Sequence, residues 1–183
     1  MSARLDSPSS SEEGLGWWRS TGTAQSDSPH PAATKRLTAL SLTAPPLKER
    51  GIVRFAGYAA LFDRMDRGGD VIRRGAFRRT LGDGSPRPLL WQHRGAQRIG
   101  TVQHIAEDRR GLRVIATIDA TSGSAAKARS MVQAGAVTGL SFGYRVRHYQ
   151  IGPPRLLLDL DLVEISLVTF PMQPDARVHL LAA

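Results

Sequence analysis

The chain contains no cysteine. That absence removes disulfides, thiolate nucleophiles and cysteine-bound zinc from consideration together. Aromatic residues are scarce, at 6%, and none sets up the alternating stacking pattern of an RNA-binding sheet. No apolar run approaches the roughly 18 residues that a membrane-spanning helix needs. The N-terminus also lacks the charged-then-apolar pattern of a signal peptide, so the expected setting is cytoplasmic and away from membranes. Acidic charge is the scarcer sign. Against 16 Asp and Glu stand 25 Lys and Arg, nearly all of them arginine, for a net charge of +9 and an isoelectric point near 11.1. Such a balance admits nucleic acid as a partner. The arginines are, however, scattered among acids and read as a solvated surface.

At 183 residues the chain suffices for one domain with a sizeable core. Residues 1–50 are dominated by Ser, Thr, Pro, Gly and Ala. They hold too little apolar surface to offset the entropy of ordering them, so a disordered N-terminal tail is expected there. Within it, Trp17-Trp18 could serve as a docking peptide. Residues 51–183 should form the folded domain. Ile52–Tyr58 reads as a strand, and Gly75–Leu81 as a short helix ended by Gly82. A strand running through Trp91 to His93 is bounded by Pro86 and Pro88. Residues 98–107 and 111–118 read as a hairpin, since Leu112, Val114, Ala116 and Ile118 alternate with the period of a strand. Ser122 or Ser124 can cap a helix that ends near Ala134. Strands over 137–146 and 156–170 follow, and Pro171 and Pro174 leave a short apolar tail. The sum is a strand-rich α+β fold with short helices, expected to be a closed or partly closed β-barrel.

Within this frame, Gly139-Leu140-Ser141-Phe142-Gly143-Tyr144 presents a serine between two glycines. Glycines there would free the backbone for a tight approach. A serine nucleophile needs a base within hydrogen-bond reach and a group to orient that base. Five histidines compete for the base. His30 falls in the tail, and His104 lies in the middle of a hairpin strand. His148 sits at an odd offset from Ser141 on the same strand, which directs it to the other face. His93 ends an apolar strand where a loop begins, the usual mounting for a catalytic group. Glu164 interrupts the apolar run from Leu162 to Val168, and a lone carboxylate there must be paired. Its partner is either the catalytic histidine or a structural arginine. Asp159 and Asp161 are second choices.

Gly139-x-Ser141-x-Gly143, followed by Glu164 and His179, also matches the nucleophile elbow of the α/β hydrolases. That elbow requires a helix directly after the serine. Here a strand continues instead, which excludes it.

Taken in order, these pieces resemble the tailed-phage prohead maturation protease family (Caudovirus prohead serine protease), which is related to the herpesvirus assembly proteases. The likeness runs from about Gly57 to Ala176. It is carried by Gly57-Tyr58-Ala59, Gly69-Asp70-Val71-Ile72 with Gly75-Ala76-Phe77, Leu90-Trp91-Gln92-His93, Ile99-Gly100, Gly139–Tyr144 and Glu164–Pro171. The resemblance implies a herpesvirus-protease-like barrel and a serine endopeptidase with Ser141 as nucleophile, His93 as base and Glu164 as third member. Glu164 stands where the herpesvirus enzymes use a second histidine. Neither cofactor nor metal is implied. The implied substrates are scaffold, or the scaffold-like part of the major capsid protein, inside a prohead in the host or bacterial cytoplasm, together with the protease itself. Self-association is compatible with this reading. The particle is viral or phage-like, such as a gene transfer agent. For the oxyanion hole, backbone N–H groups near Thr169–Met172 are the candidates. Two other classes stay open at this point: a basic nucleic-acid-binding barrel, and a catalytically inactive scaffold of capsid assembly.

Overall fold

The computed structural model describes residues 51–182. The expected tail, Trp17-Trp18 and His30 lie outside the described residues. Eight strands and two helices follow in the order β1 (Val53–Leu61), β2 (Asp70–Ile72), α1 (Arg78–Leu81), β3 (Pro88–Trp91), β4 (Arg94–Glu107), β5 (Gly111–Ile118), α2 (Gly123–Gln133), β6 (Gly139–Gln150), β7 (Arg155–Val168) and β8 (Val178–Ala182). Among the described residues no helix is long and apolar enough to cross a membrane.

Alternation marks β1 and β5. In β5 the expected positions Leu112, Val114, Ala116 and Ile118 are all fully buried, and the strand pairs with both β4 and β1. Helix α2 begins where the sequence placed a cap, with Ser122 Oγ accepting from the backbone N–H of Ala125. Ala125, Ala128 and Val132 form its buried stripe. Two elements are additions to the sequence reading. The Asp70–Ile72 stretch pairs in parallel with β7, and the C-terminal apolar tail is strand β8, antiparallel to β1.

Strand β7 is the hub. Along most of its length it pairs with β6. It also pairs in parallel with β2 at Arg155–Leu157 and with β3 at Ile165–Leu167. A strand has two edges, so β2 and β3 share the edge opposite β6. From β3 the sheet continues through β4, β5 and β1 to β8. Phe55, Ile99, Leu112, Ile118, Leu140, Leu160, Ile165 and Leu167 make its fully buried interior.

The sheet does not close into the barrel expected from the sequence. Among the described residues, the backbone pairing of the β6 end with the β1–β8 side is limited to an isolated Gly139–Arg177 bridge and the bonds Leu140 N–H to Ala176 O and Val178 N–H to Thr138 O. The physical reason lies in the segment between β7 and β8. The segment available for closure contains Pro171 and Pro174, which have no N–H to give to a ladder. What remains is a strand-rich α+β sheet with few helices.

Candidate active site

The β6–β7 ladder is regular at Ser141↔Ser166 and Gly143↔Glu164. Directly opposed residues of an antiparallel pair project to the same face. Ser141, Ser166 and Glu164 therefore lie together, while Leu140, Phe142, Ile165 and Leu167 point to the other face. Strand β3 adds Leu90 beside Ser166 on the opposite edge of β7. Both faces of Glu164–Val168 are buried, so something must cover the polar one. That cover is the turn between β3 and β4.

The turn differs from the sequence reading. Strand β3 ends at Trp91, which pairs with Arg94, leaving Gln92 and His93 as a two-residue hairpin loop. Both have positive φ, 53° and 58°, the left-handed pair that a type I′ turn requires. Neither residue is a glycine or asparagine, so each conformation costs about 1 kcal/mol or more. Strand β7 holds the turn in place. Gln92 N–H donates to Leu167 O at 2.9 Å. The Gln92 amide donates to Thr169 Oγ1 at 2.8 Å and accepts from Thr169 N–H at 3.3 Å. His93 N–H donates to Ser166 Oγ at 3.2 Å.

The effect is to lay the His93 ring over β7. Its Nδ1 lies 2.6 Å from Glu164 Oε1. The other carboxylate oxygen, Oε2, accepts from Ser166 Oγ at 2.6 Å. No arginine pairs with Glu164 among the described residues. A carboxylate only accepts, so the Nδ1 facing it carries the proton and Nε2 is the ring's acceptor. Ser141, only 6% exposed, stands one strand over. Its hydroxyl makes no hydrogen bond to the His93 ring among the described residues.

Gly139 and Gly143 have a different role from the one read in the sequence. Neither has positive φ. A Cβ on Gly143 would come within 2.7 Å of Glu164 Oε1, and one on Gly139 within 2.4 Å of Val168 O and 2.9 Å of Pro171 Cδ. They clear space for the carboxylate and for the Pro171 turn instead of freeing the backbone around the serine.

The remaining candidates are elsewhere. Exposed His104 lies on β4 opposite Ile115. His148 is exposed near the far end of β6, beside Asp159. Bulges between Gly143 and Tyr144 and on both sides of His148 break the parity argument used against it; distance along the strand is what separates it from Ser141. His179 stacks edge-on against Tyr58. Asp159 and Asp161 pair with Arg79, and Asp161 also with Arg147. In the Thr169–Met172 segment the Thr169 N–H is already committed to Gln92. Sequence reasoning missed Ser166 and Gln92. Ser166 is enclosed in an apolar run, and Gln92 is an ordinary polar residue beside a histidine.

The Caudovirus prohead serine protease family matches residues 40–183. The chain belongs to this family. A prohead protease of Enterobacteria phage HK97 is 32% identical over 130 residues, covering 68% of this chain and 58% of the relative. The chain thus aligns with little more than half the length of that prohead protease. Among solved structures, varicella-zoster virus protease is similar at a TM-score of 0.48 and 18% identity, over 70% of this chain and 63% of that one. KSHV protease in complex with a hexapeptide phosphonate inhibitor has a TM-score of 0.48 and 12% identity, over 72% and 65%.

Proposed function

We propose that residues 51–183 form a serine endopeptidase of capsid maturation, in which Ser141 is the nucleophile, His93 the general base and Glu164 the residue that orients it. The observation that carries this reading is the 2.6 Å contact between His93 Nδ1 and Glu164 Oε1, on the strand face that Ser141 shares. In a chain of the prohead protease family, that pairing is the half of a triad that fixes the imidazole tautomer. Ser141 Oγ attacks the peptide carbonyl while His93 Nε2 takes its proton. The tetrahedral intermediate collapses as His93 returns that proton to the leaving amine, and water then releases the acyl group from Ser141 by the same route. Glu164 stays ionised and stabilises the imidazolium that forms in between. The backbone N–H groups of Phe170 and Met172 are the proposed oxyanion donors, Thr169 N–H being engaged already and Pro171 having none.

The substrates under this reading are scaffold, or the scaffold-like part of the major capsid protein, cleaved inside the prohead, with self-cleavage in addition. Mass spectrometry of capsid protein co-expressed with this chain tests it. Shortened capsid protein is expected with the native chain and full-length capsid protein with Ser141→Ala. Trimming that survives Ser141→Ala overturns the assignment.

A further inference from the structure

We infer that Ser166 is a positioning residue for the His93–Glu164 pair, a role that rests on the function proposed above. Its side chain is fully buried, so it touches no substrate. A hydroxyl has one proton and two lone pairs to spend. Ser166 directs its proton to Glu164 Oε2 at 2.6 Å, because an ionised carboxylate can only accept. With a lone pair it takes the backbone N–H of His93 at 3.2 Å. The same oxygen therefore holds the carboxylate and the main chain of the residue that the carboxylate orients. Both ends of the His93–Glu164 contact are anchored to one point on β7.

The location adds to the argument. Ser166 is the residue of β7 that stands opposite Ser141 on β6 and beside Leu90 on β3. It fixes the height of the carboxylate and of the histidine turn relative to the serine. The turn itself is held in a left-handed conformation at Gln92 and His93, which persists only where surroundings over-determine it. The bond from His93 N–H to Ser166 is one of the few holding it. Without the hydroxyl, Oε2 loses its donor, the carboxylate can rotate about its χ3, and the ring follows it.

The consequence reaches chemistry through the base. A carboxylate with one donor fewer concentrates its charge on the remaining partner and grips the imidazolium more tightly. The base is then freed of its proton only at higher pH. Ser166 variants should accordingly slow the reaction and move its acid limb upward in pH together, an effect that a purely structural serine would not produce.

The test uses a fluorophosphonate, which needs no knowledge of the cleavage sequence. In labelling, Ser141 Oγ forms a bond to phosphorus, the P–F bond breaks, fluoride leaves and the serine proton passes to His93. The second-order labelling rate is measured against pH for the full chain and its variants, with the labelled residue located by mass spectrometry. Ser166→Ala is expected to label at least about tenfold more slowly at its optimum, the fold-change associated with a hydrogen bond to a charged group, with its acid limb at higher pH. Ser166→Cys keeps a side chain of similar size and supplies only a weak donor. It covers the case in which Ser166→Ala fails to fold, and it should show the same two changes. Ser166→Thr, which retains the hydroxyl, should recover the native acid limb. A native rate and native limb in a folded Ser166→Ala or Ser166→Cys overturn the inference. So does a Ser166→Thr variant whose limb moves as far as that of Ser166→Cys. Label found on a residue other than Ser141 in the native chain overturns the proposed nucleophile instead, so the two failures are distinct.

Discussion

Strand β7 carries two acidic sites a few residues apart, and the sheet treats them in opposite ways. At Asp159 and Asp161 the carboxylates are 32% and 21% exposed and face the guanidinium groups of Arg79 and Arg147. At Glu164 the side chain is 8% exposed, with a histidine on one oxygen and a serine on the other. The first site has partners with a permanent charge. Burial works to raise the carboxyl of Asp161, but hydrogen bonds and charge from Arg79 and Arg147 outweigh it and hold the group below its ordinary value. Asp161 therefore keeps its charge to lower pH than an ordinary carboxyl. The second site has an imidazole as its partner, a group that can be neutral or charged where a guanidinium is always charged. Under the proposed function, the same residue class on the same strand is a clamp in one place and part of a proton-handling device in the other. The partner and the degree of burial make the difference.

The largest way to break this comparison is to remove the titrating partner. His93→Ala should reduce fluorophosphonate labelling to the level of Ser141→Ala, and labelling of the native chain should fall on acidification, since a protonated imidazole cannot accept the serine proton. A His93→Ala variant that labels at the native rate, or a loss that follows His104 instead, removes His93 from the mechanism.

A subtler break displaces Glu164 without changing it. A Cβ at Gly143 would meet Oε1 at 2.7 Å, so Gly143→Ala should push the carboxylate off His93. The expected loss is on the order of a hundredfold, the effect of about an ångström of misplacement. A native labelling rate in this variant would show that the carboxylate's position is unimportant.

At the exposed site the effects should be small and confined to stability. Asp161→Asn removes a carboxylate shared by two arginines and should lower the melting temperature by about 2 °C, as expected for a solvent-exposed pair, with labelling unchanged. A loss of labelling would couple the two sites, contrary to the account.

The smallest expected effect is a pH dependence. The Asp161 carboxyl lies lower in the folded chain than its ordinary value. Its contribution is therefore complete above the unfolded carboxyl range and disappears as pH falls through the folded value. In Asp161→Asn this part of the acid-induced loss of melting temperature should be missing. Equal slopes for both proteins below about pH 4 would contradict that sign.

Much of the scaffold was legible because burial leaves a period. The alternation in β5 and the Ser122 cap of α2 are direct readings of side-chain chemistry. Glu164 was legible for the opposite reason, as a charge that breaks an apolar run and so demands a partner. What the sequence hid is non-local or conformational. Nothing in Gln92-His93 advertises positive φ, because glycine and asparagine are the residues that usually signal such a turn. The bulges in β6 invalidate a parity count that assumes a regular pleat. Ser166, flanked by Ile165 and Leu167, looks like one more buried strand residue until its register opposite Ser141 is known. Closure of the sheet depends on a proline-bearing segment meeting β6 and β1 from a distance, which local pattern does not report.

The central claim is that Glu164 orients His93 and is not a structural charge. Glu164→Gln tests it most directly, with melting temperature and single-turnover labelling measured on the same preparation. An amide keeps the packing but can donate where the carboxylate only accepts, which favours the wrong imidazole tautomer. The account predicts a variant with nearly native melting temperature whose labelling rate falls on the order of ten-thousandfold, the scale of losing the tautomer-fixing carboxylate in a serine triad. A variant that melts several degrees lower yet labels at the native rate would contradict it.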